Sequence, residues 1–143
     1  MNVDSKKTYT EILTVNTKFY QALQQADFDV MATVWAHRDM VECIHPGWDR
    51  LQGWDAVADS WDRIFQNQGP LPIQVTKPVV HWRGEMAWVI CYERISIQVG
   101  ANFQVSQTVA TNVFEYIDQR WKMIIHHASP IPSRQQTWSG ALN

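Results

Sequence analysis

The segment MAWVICYERISIQV, residues 86–99, decides the fold class of this chain. Successive side chains of a strand point to opposite faces of the sheet, so the segment divides into two alternating sets. One set is Met86, Trp88, Ile90 and Tyr92, and the other is Ala87, Val89, Cys91, Ile95 and Ile97. Both sets are apolar, and a sheet that is apolar on both faces needs two covers. The segment therefore predicts a long strand that is buried on both sides.

Similar β-branched and aromatic runs surround this segment and are separated by short breaks typical of hairpin turns. The pattern predicts four strands in meander order, at residues 73–82, 86–99, 103–117 and 121–128. We extend this alternation to the neighbouring strands by assuming that all odd-numbered residues share one face of the sheet and all even-numbered residues share the other. It places Val105, Val109 and Val113 on the odd-numbered face with Val89, and Phe114 on the even-numbered face with Trp88.

The first part of the chain has helical periodicity instead. Thr8 and Glu11 have capping-box spacing, and apolar residues follow at helical intervals, so a first helix is predicted from Thr8 to Ala26. A shorter second helix follows, capped by either Asp27 or Asp29. The third helix has an apolar stripe over residues 54–65 and ends before Gly69.

One short strand, residues 40–45, separates the second helix from the third. Helices followed by a long antiparallel sheet indicate an α+β fold rather than an alternating α/β fold. We find no repeat or linker, so residues 1–143 are interpreted as a single domain. The prolines near the end predict an irregular tail over residues 129–143.

Composition narrows the classes of partner. The formal net charge is −2, and Lys and Arg are scattered singly along the sequence, so nucleic acid is not expected as a partner. No apolar run has membrane-spanning length and the first residues are polar, which predicts a cytoplasmic protein that does not contact membranes. Cys43 and Cys91 lie inside apolar strand patterns and are predicted to be buried thiols.

The run Cys43-Ile44-His45-Pro46-Gly47-Trp48 carries the first candidate site residue. Proline cannot donate to a sheet ladder, so His45 is predicted at the end of a strand, facing whatever the strand opens onto. Histidine both accepts and donates a proton near neutral pH, which makes His45 a candidate acid–base group. A histidine hydrogen-bonded in the core or at the surface is an equal alternative.

Several short motifs, in order, resemble the nuclear-transport-factor-2-like (NTF2-like) superfamily and, within it, the SnoaL-like and ketosteroid-isomerase-like proteins. The motifs are Phe19-Tyr20-x-x-Leu23, Ile44-His45-Pro46-Gly47, Leu51-x-Gly53-Trp54, Asn112-Val113-Phe114 and the segment from Trp121-Lys122 to His126-His127-Ala128-Ser129-Pro130. The resemblance covers nearly the whole chain. It implies a cone-shaped fold, also called cystatin-like, with three N-terminal helices packed on a curved, mostly antiparallel sheet and a ligand cavity between them.

The resemblance also implies roles for individual residues. By position, His45 corresponds to the general base, and Tyr20 and Asn112 correspond to the two hydrogen-bond donors of the oxyanion hole. Neighbouring residues of a strand face opposite ways, so only one of His126 and His127 can enter the cone. We favour His127 as the fourth catalytic candidate, and a histidine that only hydrogen-bonds the following loop is the alternative.

Aromatic residues are predicted around the mouth of the cone, where they suit a flat ligand. The candidates for substrate binding are Trp35, Trp48, Trp61 and Tyr92. Trp61 also fits ordinary core packing, because it belongs to the regular stripe of the third helix. Glu93 and Arg94 are interpreted as an ion pair at a solvated edge or interface and receive no catalytic role.

The resulting hypothesis is a small-molecule pocket protein that acts as a cofactor-free acid–base isomerase, dehydratase or cyclase on a small carbonyl or aromatic compound. A non-catalytic ligand-binding or homo-association module of the same fold is the alternative. No metal site is predicted, since His45, His81 and His127 lack HxH spacing and adjoining carboxylates. The second apolar sheet face predicts a homodimer in which the two sheets pack together.

Overall fold

The computed structural model describes residues 2–132, which form three helices and a six-stranded sheet. The elements are α1 (Val3–Gln25), α2 (Phe28–Val34), β1 (Glu42–Ile44), β2 (Leu51–Gln52), α3 (Trp54–Gln68), β3 (Ile73–Arg83), β4 (Met86–Val99), β5 (Asn102–Ile117) and β6 (Arg120–Ile131). The strand order is β2-β1-β6-β5-β4-β3, and β1 pairs with β6 in parallel while the other neighbours are antiparallel. This arrangement confirms the cone-shaped α+β prediction.

The first helix begins earlier than the sequence pattern indicates. Asn2 is its N-cap, and the Oδ1 atom of Asn2 accepts a hydrogen bond of 2.7 Å from the backbone N–H of Ser5. Thr8 therefore lies inside α1, and the capping-box spacing was a misleading start signal. The second helix is capped by Asp27, the first of the two predicted candidates, whose Oδ1 accepts from the N–H of Val30 at 3.1 Å.

The strands differ from the prediction in three places. The strand predicted at residues 40–45 is β1, which covers Glu42–Ile44. The two-residue strand β2 was missed, because so short a segment has no measurable alternation. The last strand extends to Ile131, so Ser129 and Pro130 pair with β5 instead of starting an irregular tail. Residues 133–143, the remainder of that predicted tail, lie outside the described residues.

The pairing of β4 with β5 corrects the assignment of faces. Ala87 lies opposite Phe114, and Trp88 lies opposite Val113, so odd-numbered residues of β4 share a face with even-numbered residues of β5. The prediction that Val113 shares a face with Val89 was therefore wrong. Residue number alone cannot align two strands, because the turn between them sets the register.

The two faces of the sheet have different environments. The helices cover the inner face, where Ala87, Cys91 and Phe114 are completely buried. On the outer face, apolar side chains remain in solvent, and Ile90 is 40% and Val105 47% exposed. Both faces of the long strands are thus apolar, as predicted, but within residues 2–132 only one is covered. None of the described helices combines the length and hydropathy needed to cross a membrane.

Candidate functional site

A cavity of about 220 Å³ lies between α3, the loop after β1 and the inner face of the sheet. Most of its wall is apolar. The polar exceptions that titrate are His45, Glu93 and His126. The other lining residues are Leu23, Pro46, Trp48, Trp61, Ile64, Gln68, Leu71, Ile73 and Ile95. A concave, mainly apolar space with a few convergent polar groups has the character of a small-molecule site.

His45 follows the last residue of β1 and is almost completely buried. The hydroxyl of Ser60 donates to the carbonyl of Val57 at 2.7 Å, so its oxygen accepts from Nε2–H of His45 at 2.9 Å. This leaves Nδ1 of His45 unprotonated. Burial, followed by the nearby His126, lowers the pKa of His45 to about 3. The imidazole is therefore neutral near pH 7, with a free lone pair on Nδ1, and it is a weaker base than an exposed imidazole.

His126 is oriented by a directed hydrogen-bond network. The Nδ2 group of Asn112 donates to Oδ1 of Asn16 at 2.9 Å and to the hydroxyl of Tyr20 at 3.1 Å. The amide oxygen of Asn112 is then the acceptor for Nδ1–H of His126, at 2.6 Å. Burial, followed by the neighbouring His127, lowers the pKa of His126 to about 3. His126 is consequently neutral with its lone pair on Nε2.

Glu93 is the acidic residue of the cavity wall and is 5% exposed. The hydroxyl of Tyr20 donates to Oε2 of Glu93 at 2.6 Å, and the hydroxyl of Thr108 donates to Oε1 at 2.5 Å. Burial raises the pKa of Glu93, although these two hydrogen bonds oppose the effect. The same burial, followed by the charge of Glu93, raises the pKa of Tyr20. Glu93 therefore keeps its proton to a higher pH than an exposed glutamate does.

Of the predicted catalytic residues, His45 lines the cavity. Tyr20 and Asn112 lie behind its wall, where they are hydrogen-bonded to the lining residues Glu93 and His126. The ring of Tyr20 instead lines a second cavity of about 450 Å³ between α1 and β3. His127 is exposed on the opposite face, so the preference for His127 over His126 was wrong. The strand β6 points His126 inward because His126 pairs with the inward residue Asn112.

Two of the four aromatic candidates line the cavity and two do not. Trp48 and Trp61 line the cavity, and their rings pack edge-on against His45 at centroid distances of 4.7 and 4.5 Å. Trp35 is buried next to Trp54, away from the cavity. Tyr92 alternates with the inward residues of β4 and therefore lies on the outer face. The placement of Trp35 and Tyr92 at the ligand was wrong.

Two residues of the cavity wall, Glu93 and His126, were not among the predicted site residues. Glu93 has the same strand alternation as Val89 and Cys91, and that pattern places it on the inner face. Its charge led to the interpretation as a solvated ion pair, which was wrong. The orientation of His126 towards the cavity could be predicted only from the register between β5 and β6. Both thiols, Cys43 and Cys91, are buried and free as predicted.

The acid–base groups of the cavity do not form a metal site. Within residues 2–132, no cluster of three or more His, Cys, Asp or Glu side chains has the arrangement needed to hold a metal ion. Burial raises the pKa of both thiols, that of Cys91 to about 11, so neither is a ready thiolate ligand. The polar groups on the cavity wall can form hydrogen bonds and transfer protons.

Comparison with known proteins supports the same fold. A chain from Streptomyces avermitilis, named as a candidate dehydratase of the NTF2-like family, is 32% identical with a TM-score of 0.79, and the match covers 89% of this chain and 98% of that chain. A candidate calcium/calmodulin-dependent protein kinase type II association domain from Thiobacillus denitrificans is 34% identical with a TM-score of 0.73, over 82% of this chain and 92% of that one.

A curated relative and a family model complete the comparison. The F-box protein SKIP8 of Arabidopsis thaliana is 31% identical over 122 residues, which make up 85% of this chain but 50% of that protein. This chain thus spans half the length of the curated relative. The model of the SnoaL-like domain matches residues 12–133. The chain therefore belongs to the SnoaL-like family of the NTF2-like superfamily.

Proposed function

We propose that this protein binds a small, uncharged carbonyl or aromatic compound in the cavity and isomerises, dehydrates or cyclises it by cofactor-free acid–base chemistry. The observation that supports this proposal is the presence of His45, Glu93 and His126 on the wall of one mainly apolar cavity. Among residues 2–132, the lining of this cavity includes neither Lys nor Arg, so the described part of the wall offers an anionic ligand no fixed positive charge. The named dehydratase candidate among the similar chains agrees with this class of reaction.

The proposed proton transfer uses the neutral imidazoles as bases. The unprotonated nitrogen of His45 or His126 removes a proton from the carbon next to the ligand carbonyl. Burial raises the pKa of Glu93 and so favours its protonated form, and in this proposal that form donates a hydrogen bond to the carbonyl oxygen, where negative charge develops. The proton taken by the imidazole is then returned to another atom of the ligand, which gives an isomer, or assists departure of a hydroxyl group, which gives a dehydrated product.

Tyr20 and Asn112 act as positioning residues in this proposal. Both amide hydrogens of Asn112 are already donated within the protein, and the hydroxyl hydrogen of Tyr20 is donated to Glu93. Neither residue has a free donor for a ligand oxygen, in contrast to the role that their positions imply in ketosteroid isomerases. They instead fix the orientation of Glu93 and His126.

Turnover of small enones, followed by ultraviolet absorbance, tests the proposal. The expected result is saturable isomerisation that His45→Gln and His126→Gln each reduce strongly, with His127→Gln as the matched control because His127 is exposed on the other face. Loss of activity in the control alone would place the chemistry elsewhere. Ligand binding without turnover would support the alternative, a binding protein with the same cavity.

A second candidate function is homo-association through the outer face of the sheet. The exposed apolar residues of that face and the similarity to an association domain support it. We propose a two-fold dimer in which the outer faces of two copies pack against each other.

We also propose a cytoplasmic location, because two free buried thiols suit a reducing compartment.

A further inference from the structure

Cations that are scattered in the sequence meet at one place in the fold. Arg38, from the segment after α2, and Arg120 and Lys122, from the start of β6, line a cavity of about 690 Å³. This cavity, here called the basic notch, lies between the end of α2 and the β5–β6 turn. Lys18 of α1 lines an adjoining cavity together with Arg120 and Lys122. The fold therefore concentrates charge that the linear sequence disperses.

The positive charge of the basic notch is poorly balanced by nearby acids. Among residues 2–132, Asp118 is the one acidic residue that lines it, and Glu11 lines the adjoining cavity. In residues 2–132, salt bridges form at Lys7, Arg50 and Arg63, but none involves a cation of the notch. Burial, followed by the charges of Arg120 and Lys18, lowers the pKa of Lys122, which is the response expected where like charges are crowded.

Two hydrogen bonds hold residues of the notch in place. The Nζ atom of Lys122 donates to the carbonyl of Thr33 at 2.7 Å, which ties the start of β6 to the end of α2. His37 bonds the carbonyl of Ala32 at 2.7 Å, and its ring stacks on Trp54 at a centroid distance of 4.2 Å. Arg38 and Arg120 are exposed at the rim, so their guanidinium groups remain available to a ligand.

We propose that the basic notch binds the phosphate group of a small organic phosphate monoester. Two guanidinium groups and an ammonium around one concavity match a compact anion with several oxygens, because arginine donates two parallel hydrogen bonds to such a group. Arg38, Arg120 and Lys122 line one hollow, whereas a nucleic-acid strand is bound along a continuous, positively charged groove. This site is separate from the His45 cavity and does not depend on the proposed enzyme activity.

An NMR titration with phenyl phosphate at constant ionic strength tests this site, with phenol as the uncharged counterpart. Phenyl phosphate is expected to shift the amide signals of residues 37–39 and 118–122 in a saturable way, and phenol is not. Arg38→Gln and Arg120→Gln should each weaken binding about fivefold, as expected for the loss of one exposed charge contact. Arg63→Gln is the control, because Arg63 pairs with Asp59 on α3.

A variant that removes a negative charge provides a second test. Asp118→Asn removes the acidic residue of the notch and is expected to tighten binding of phenyl phosphate, and asparagine tolerates the left-handed backbone found there (φ 51°). Shifts that do not saturate, or equal affinity in the two arginine variants and in Arg63→Gln, would overturn the proposal. Tight binding of a single-stranded oligonucleotide without saturable binding of phenyl phosphate would also overturn it, in favour of a polyanion surface.

Discussion

Nδ1 of His126 donates a hydrogen bond of 2.6 Å to the amide oxygen of Asn112, deep under the cavity wall. The direction of this bond is fixed from behind, since the amide nitrogen of Asn112 donates to Asn16 and Tyr20. A buried amide that is satisfied on both ends selects one tautomer of the imidazole. The network therefore leaves Nε2 of His126 as a hydrogen-bond acceptor.

The tautomer of His126 is the first prediction. Nitrogen-15 NMR of the imidazole should show a proton on Nδ1 and none on Nε2, with no change between about pH 5 and 8 because burial disfavours the charged ring. Asn112→Asp should instead raise the pKa of His126, since a carboxylate stabilises the imidazolium. Protonation of the wild-type ring within this range, or a proton on Nε2, would show that the network is oriented differently.

The second prediction concerns stability in acid. The pKa of His45 and of His126 is about 3 in the folded protein, below the ordinary histidine value of 6.5, so both histidines bind protons more readily after unfolding. Their stabilising contribution is present above pH 6.5 and is lost as the pH falls towards 3. Between pH 6.5 and 4 the free energy of unfolding should fall by about 3 kcal/mol for each histidine.

Urea denaturation at a series of pH values measures this effect, and the variants His45→Gln and His126→Gln identify its source. Each variant should flatten the dependence of unfolding free energy on pH in this range, relative to wild type. His81→Gln serves as the control, because its side chain is exposed. A dependence that stays equally steep in both buried-site variants would mean that other groups cause it.

The third prediction assigns the alkaline limit of activity to Glu93. Burial raises its pKa, so a reaction that needs the protonated carboxyl is expected to slow as the pH rises through that raised value. Glu93→Gln keeps a neutral hydrogen-bond donor and should remove the alkaline limb of kcat/KM while retaining part of the rate. Glu85→Gln in the β3–β4 turn is the control. An alkaline limb that survives in Glu93→Gln would assign the limit to another group.

The fourth prediction concerns assembly. If outer sheet faces pair, Ile90→Lys should convert a dimer to a monomer in analytical ultracentrifugation, because it places a charge in an apolar interface. Val3→Lys is the matched control, since Val3 is 82% exposed at the start of α1. A wild-type monomer at micromolar concentration would contradict the homodimer.

Individual helices and strands could be predicted from the sequence wherever the pattern lies within a single segment. The stripe of α3, the alternation in β4 and the turn residues between strands each report their own segment, and these elements were predicted close to their observed bounds. The family resemblance added the order of the elements. Thr8 shows the limit of this approach, because a capping-box spacing inside a helix has the same appearance as one at its start.

The residues of the site could not be predicted in this way, because their positions depend on contacts between segments that are distant in the sequence. Whether His126 or His127 faces the cavity follows from the register between β5 and β6, and two strands can be aligned only in three dimensions. Glu93 was available from its alternation with Cys91, but its charge favoured a solvated position, and only its two hydroxyl partners explain why it is buried. Distant partners such as Tyr20 and Thr108 cannot be paired from spacing.

Proton exchange at the carbon next to a carbonyl tests the central claim most directly. The account predicts that the protein accelerates deuterium incorporation from D2O into 2-tetralone, an uncharged aromatic ketone, with saturation kinetics. The double variant H45Q/H126Q should lose this acceleration, and His127→Gln should retain it. Incorporation no faster than in buffer across a panel of small enolisable ketones, or full acceleration by the double variant, would contradict the assignment of this cavity as an acid–base site.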